Sequence, residues 1–219
     1  MTPYSTILFD LDGTLTDPKV GITKSVQYAL SKLGIHEPDL DKLTCFIGPP
    51  LRLMFQQAYH FSASDIQRAV DHYREYFKTD GMYENVLYSG IPRLLEMLKR
   101  EFVNLVVATS KPTVFAKQIL HHFDIEQYFD HVVGSNLDGT RSAKAEIIEC
   151  AMSLYPDLAT TGFVMIGDRE HDIIGANGND IDSIGVLYGY GTREEFNQAK
   201  ATYVVDSVED LCKLLSRSI

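Results

Sequence analysis

Cysteine is scarce in this 219-residue chain: Cys45, Cys150 and Cys212 are far apart, odd in number and free of any C-x-x-C spacing. That pattern argues against a disulfide framework and against a zinc site, and a reducing cytoplasm is the expected setting. Basic residues are outnumbered as well, with 20 Lys and Arg against 30 Asp and Glu and a formal charge of -10. Gripping a nucleic-acid backbone takes clustered cations, so no nucleic-acid polymer is expected as a partner. No run approaches the roughly 20 apolar residues of a membrane span, so no membrane partner is expected. Met1-Thr2-Pro3-Tyr4 leads straight into a short apolar strand, without the charged flank and longer apolar core of a secretory signal. Internal repeats and low-complexity segments are missing. The seven histidines show no ligand spacing, and His121-His122 reads as a solvated helix end. Oligomeric state is not legible.

What the chain does have is enough apolar content, 45%, to bury a proper core. Short apolar runs at Thr6 to Asp10, Val103 to Thr109, His131 to Gly134, Gly162 to Asp168 and Asp182 to Tyr188 are separated by helix-like segments. The runs are too continuous for a one-sided antiparallel sheet, whose strands alternate polar and apolar residues. The expected class is therefore α/β, a doubly wound Rossmann-like parallel sheet with helices on its faces. One interval breaks the rhythm. Between about Thr16 and Tyr88 apolar residues recur at helical spacing: Ile22, Val26, Ala29, Leu30 and Leu33 before Gly34; then Leu51, Met54, Phe55 and Ala58; then Ile66, Val70, Tyr73 and Phe77. The expected organisation is an α/β core domain of residues 1–15 and 89–219, interrupted by a helical cap domain of residues 16–88. After Gly90-Ile91-Pro92 a helix through Leu94, Leu95 and Leu98 restores the α/β rhythm. Thr192-Arg193-Glu194-Glu195 and Ser207-Val208-Glu209-Asp210 read as capping boxes at helix starts.

In an open α/β sheet, ligands bind beyond the carboxyl ends of the strands. The first strand ends in Asp10-Leu11-Asp12-Gly13-Thr14, the second in Thr109-Ser110-Lys111, the fourth in Gly167-Asp168-Arg169-Glu170-His171-Asp172, and Lys144 follows the third. Asp10, Asp12, Asp168 and Asp172 are expected to converge, and such mutual repulsion is relieved by protonation or by a cation. A hard divalent ion suits an all-oxygen site, and Mg²⁺ takes one or two carboxylates together with water and substrate phosphate. Two residues apart in an extended chain, Asp10 and Asp12 start on the same side, and Gly13 permits a sharp turn beneath them. One carboxylate then attacks phosphorus while the other handles the leaving-group proton. Ser110 and Lys144 supply a hydroxyl and a fixed cation for the non-bridging oxygens. Singly, each of these residues is an ordinary turn or loop residue; the ordered set, every member at a strand end, points to catalysis.

These strings resemble the haloacid dehalogenase-like hydrolases over essentially the whole chain. Phe9-Asp10-Leu11-Asp12-Gly13-Thr14-Leu15-Thr16 is similar to their first motif, Ala108-Thr109-Ser110 to the second, Lys144 to the third, and Gly167-Asp168 with Asp172 to the fourth. Arg141, three residues from Lys144, is the alternative cation. The helical interval resembles the cap that these enzymes carry between the first two motifs. The resemblance implies an aspartyl-phosphate on Asp10, with Asp12 protonating the leaving oxygen and then activating water. It also implies Mg²⁺ held by Asp10, the backbone carbonyl of Asp12 and Asp168, with Asp172 directly or through water, and a phosphoryl group held by Ser110 and Lys144.

Within the family the chain looks most like the branch of phosphoglycolate phosphatases and bacterial 5'-nucleotidases. Ile47-Gly48-Pro49-Pro50-Leu51, Thr109-Ser110-Lys111-Pro112, Leu137-Asp138-Gly139-Thr140-Arg141, Gly167-Asp168-Arg169-Glu170-His171-Asp172 and Tyr188-Gly189-Tyr190-Gly191 look most like the nucleotidases. A small phosphorylated metabolite is the expected substrate. A dehalogenase has no use for Asp12 or a metal, so Asp12 speaks against it. A phosphomutase such as β-phosphoglucomutase shares both aspartates, and a binding protein on the same fold would tolerate their loss. Arg52, after the stiff Gly48-Pro49-Pro50 loop, is the candidate specificity residue, its alternative being a solvated helix arginine. Tyr190, between two glycines beyond a strand end, is a second candidate contact.

Overall fold

The computed structural model describes residues 4–216; residues 1–3 and 217–219, and with them the Met1-Thr2-Pro3 start and the outer ends of the expected core, lie outside the described residues. The chain divides into two compact units, Met1–Thr16 with Leu87–Ile219, and Asp17–Val86. In order, the strands and α-helices are β1 (Thr6–Phe9), β2 (Thr16–Asp17), α1 (Lys19–Lys32), α2 (Leu51–Tyr59), α3 (Ala63–Tyr76), β3 (Val86–Leu87), α4 (Ile91–Arg100), β4 (Asn104–Pro112), α5 (Thr113–His122), β5 (His131–Ser135), α6 (Lys144–Met152), β6 (Phe163–Gly167), α7 (Glu170–Asn177), β7 (Asp182–Val186), α8 (Arg193–Ala199), β8 (Tyr203–Val205) and α9 (Val208–Ser216).

The first unit is built on a six-stranded sheet in the order β5-β4-β1-β6-β7-β8, with every pair parallel. Numbered by these six strands alone, the order is 3-2-1-4-5-6, that of a Rossmann-like doubly wound sheet, and it reverses between β1 and β6. Helices flank the sheet, which is why the central strands are mostly apolar: Ile7, Leu8 and Phe9 of β1 and Val164, Met165 and Ile166 of β6 are fully buried. On one face Leu8, Val106 and Met165 pack with Ile147, Ile148 and Ala151 of α6 and Ala176 of α7. Truncating Leu8 to alanine there costs about 2–5 kcal/mol. The register Phe9↔Ile166 carries β1 and β6 to the same edge together. Three strands go beyond those expected from the sequence, the two-residue β2 and β3 and, in this sheet, β8; of the three residues of β8 only Val205 is buried, too short and too exposed a segment to leave a pattern.

The second unit is helical. α1 buries Ile22, Val26, Ala29 and Leu30, leaves Leu33 half-buried, and ends with Gly34 at φ +79°. α3 buries Ile66, Val70 and Tyr73, with Phe77 buried in the turn that follows. The middle stripe is corrected: α2 buries only Phe55, and Ala58 is exposed. Phe55 and its neighbours Phe46, Tyr59 and Phe61 are in ring contact, a local aromatic cluster that spaced apolar positions did not reveal. Among the described residues, no helix is long and apolar enough to cross a membrane.

Candidate active site

The site lies where the strand order reverses. Asp10 follows β1 directly, and its N–H donates to the carbonyl of Ile166 in β6, at 2.9 Å. Asp168 follows β6, one residue beyond the strand. Asp172 is the third residue of α7, where its Oδ2 accepts the Arg169 N–H at 3.1 Å as a capping acceptor. The N-terminus of a helix favours a negative charge at that place. Asp10, Asp168 and Asp172 are all buried and present oxygens within 4.8 Å of one another. The turn within the first motif leaves no room for a side chain: Gly13 has φ +79°, and a Cβ there would fall 2.0 Å from Asp168 Oδ2.

Lys144 opens α6 and is buried with the trio. Its Nζ lies 3.0 Å from Asp10 Oδ2 and 2.8 Å from Asp172 Oδ1, and it donates to the Ala108 carbonyl at 3.1 Å. The Asp172 contact is an ion pair by distance, without the alignment of a hydrogen bond. The alternative cation, Arg141, is turned away, its guanidinium donating to the Gly134 carbonyl at 2.8 and 3.1 Å. One lysine facing three carboxylates leaves the cluster strongly negative. Burial, then the charges of Asp172 and Asp10, raise Asp168 well above the usual carboxylate range. Burial and Asp10 raise Asp172 to about 6 against the pull of Lys144. For Lys144 burial works downward, and the charges of Asp10 and Asp172 overcome it and hold the ammonium above its ordinary value. Asp168 Oδ1 is buried and makes no hydrogen bond among the described residues. Buried, mutually repelling oxygens with an acceptor left over form a donor set suited to a hard divalent cation.

The expected convergence of four carboxylates is corrected to three. Asp12 turns its carboxylate to Lys111, Nζ to Oδ2 2.8 Å, a lysine beside the second motif whose role the sequence alone does not reveal. Burial raises the Asp12 carboxyl, partly offset by Lys111. Ser110 is half-buried, and its hydroxyl donates to the Ser142 carbonyl at 3.3 Å. Tyr190 contributes through its main chain, its N–H donating to Asp168 Oδ2 at 2.9 Å. Tyr188 Oη donates to the Thr14 carbonyl at 3.0 Å, pinning the first motif from the same loop. Arg52 belongs to the helical unit, half-buried, and donates there to Gln67 Oε1. Glu195, expected to close a capping box on Thr192, instead accepts from Arg169 Nε at 3.0 Å and from the Glu170 N–H at 2.7 Å, bracing the start of α7; only the Thr192 half of the box forms.

Residues 7–186 match the family described as haloacid dehalogenase-like hydrolase. The chain belongs to that family. This hydrolase is 49% identical to a 5'-nucleotidase of Pseudomonas aeruginosa, over 97% of its own length and 96% of the relative's. It is 39% identical to the tyrosine-protein kinase PtkA of Mycobacterium tuberculosis, over 91% of its own length and 67% of that protein's. Among solved structures it is similar to a predicted phosphatase from Clostridium acetobutylicum, with a TM-score of 0.93, 52% identity, and coverage of 96% of this chain and 97% of that one. This family member is a phosphatase.

Proposed function

We propose that this hydrolase is a cytoplasmic, Mg²⁺-dependent phosphomonoesterase that works through an aspartyl-phosphate, with nucleoside 5'-monophosphates first among its small substrates. The observation that carries the chemistry is the buried trio of Asp10, Asp168 and Asp172 around Lys144, with an Asp168 oxygen left without a donor. Those three carboxylates and the backbone carbonyl of Asp12 would hold the ion. Bound there, a hard divalent cation offsets the charge that otherwise repels a phosphate dianion.

Asp10, its Oδ1 fixed by the Leu11 N–H at 2.7 Å, supplies a carboxylate oxygen to phosphorus as the bond to the alcohol breaks. Asp12 gives a proton to the departing oxygen. It then takes one from the water that cleaves the acyl phosphate, freeing inorganic phosphate and regenerating Asp10. Lys144, 3.0 Å from Asp10 Oδ2, and the Ser110 hydroxyl hold the non-bridging oxygens as charge moves. Substrate choice is assigned to the helical unit, with Arg52 the first residue to replace.

Phosphate release is to be followed with nucleoside monophosphates, phosphoglycolate, sugar phosphates and pyrophosphate, with and without chelator. The expected result is activity lost in chelator, restored by Mg²⁺, and highest on a nucleoside monophosphate. Undiminished turnover in chelator refutes the metal-dependent mechanism, and a preference for phosphoglycolate replaces the substrate reading.

A further inference from the structure

Lys111 lies outside the carboxylate trio, yet it is buried, its side chain 6% exposed, against an Asp12 side chain 11% exposed. Its Nζ holds Asp12 Oδ2 at 2.8 Å. Asp12 Oδ1 is also buried but makes no hydrogen bond among the described residues. One oxygen of the carboxylate is clamped, and the other is left for a reactant. Lys144 is not a substitute for the clamp, since its ammonium is committed to Asp10, Asp172 and the Ala108 carbonyl.

The backbone is built to put Lys111 there. β4 and β5 pair in step from Val106↔His131 to Thr109↔Gly134, and then Pro112 faces Ser135. Ser110 and Lys111 are therefore extra residues in β4, a bulge that redirects side chains at the sheet edge. Three contacts hold its shape. The Lys111 N–H donates to Thr109 Oγ1 at 3.3 Å, and Ser135 Oγ donates to the Ser110 carbonyl at 2.8 Å. The Lys111 carbonyl lies so close over Gly134 that a Cβ there would be 2.4 Å away. Burying an ion pair is no easy route to stability, because desolvation offsets much of the attraction and an apolar pair would serve as well. A buried pair on a dedicated bulge, with one acceptor oxygen free, therefore points to a part in the chemistry.

We propose that Lys111 is a positioning residue for the acid–base group: by donating to Oδ2 it fixes the rotation of the Asp12 carboxyl and presents Oδ1, first to the leaving oxygen and then to water. An ammonium donates to Oδ2 whether or not Oδ1 carries a proton, so the clamp persists through both half-reactions. This inference rests on the acid–base reading of Asp12.

The test compares p-nitrophenyl phosphate, whose phenolate departs without a proton, with the best alkyl ester from the substrate screen. In Lys111→Met, kcat is expected to fall at least about tenfold further on the alkyl ester than on the aryl ester, with KM for both changed less than about threefold; general acid–base catalysis is worth about 10²–10⁴-fold in all. Lys111→Arg should recover part of the alkyl turnover. Circular dichroism establishes that each variant folds, and Lys111→Gln carries the same comparison if Lys111→Met does not. Equal losses on the two esters, or no loss, overturn the positioning role. Asp12→Asn, measured alongside, separates the two readings. If it discriminates between the esters and the Lys111 variants do not, only the positioning role falls; if it treats both esters alike, the acid–base reading of Asp12 falls and takes this inference with it.

Discussion

Removing one charge from the carboxylate cluster should make the metal-free protein more stable, and Asp172→Asn is the variant to show it. The asparagine keeps the shape and can still accept the Arg169 N–H that Asp172 Oδ2 accepts at 3.1 Å. Lys144 keeps Asp10 at 3.0 Å and the Ala108 carbonyl at 3.1 Å. What disappears is a buried charge whose carboxyl is raised from 3.8 to about 6. At about 1.36 kcal/mol per pH unit, that shift corresponds to about 3 kcal/mol of strain carried by the ionised form in the fold. The unfolded chain ionises first, so the penalty develops as pH rises from about 4 through about 6 and is complete above that. In excess chelator at pH 7.5, Asp172→Asn should melt roughly 6–12 °C above the native protein, at about 2–4 °C per kcal/mol for a chain of this size. The gap should close as pH falls toward about 4. Adding Mg²⁺ should narrow the gap, because binding at a hundredfold excess over Kd stabilises the native protein by about 2.7 kcal/mol and the variant by less; a thousandfold excess, worth about 4.1 kcal/mol to the native protein, should reverse the order. Thermal unfolding by circular dichroism reads all three conditions. A variant less stable than the native protein in chelator at pH 7.5 would refute the reasoning: the cluster would then be satisfied by Lys144 alone.

Asp10→Asn removes the proposed nucleophile and should lower kcat at least about a thousandfold without unfolding the protein; near-normal turnover would mean that another residue attacks. Gly13→Ala puts a methyl where Asp168 Oδ2 stands and forces a non-glycine residue to φ +79°. It should abolish phosphatase activity, and the φ strain alone costs about 1–3 kcal/mol of stability in chemical denaturation. Asp130 accepts from Lys99 Nζ at 2.8 Å and from the Leu105 N–H at 2.8 Å, and although burial opposes them these donors hold its carboxyl below the usual range. Its contribution is therefore present above about pH 4 and lost as pH falls through the folded value, so Asp130→Asn should lower Tm at pH 7 and match the native protein in strong acid.

Much of the molecule is written in one dimension because strand burial and strand-end chemistry are local. Parallel strands covered on both faces are apolar at nearly every position, which is why Thr6–Phe9 and Phe163–Gly167 are visible as runs. Asp10, Asp12, Lys144, Asp168 and Asp172 stand at the ends of such runs or at helix starts, and the family resemblance rests on the same residues. β8 was not legible, because a strand that buries one residue in three carries no periodic signal. The α2 stripe misled for a related reason: helical spacing identifies a face but not what covers it, and Ala58 is exposed while Phe55 is held by aromatic neighbours from other segments.

The sequence by itself determined the residue types at the sheet edge, the parallel α/β class and the helical interval after the first strand, since each follows from neighbours within a few positions. Only the tertiary structure decided how the charges are shared. Asp12 pairs with Lys111 rather than joining the trio, Arg141 turns to a backbone carbonyl while Lys144 takes Asp10 and Asp172, and Glu195 braces α7 instead of capping its own helix. The reason is physical: a lysine or carboxylate chooses its partner by distance and burial across strands far apart in the chain, and in this protein a bulge of two residues in β4 makes that choice for Lys111.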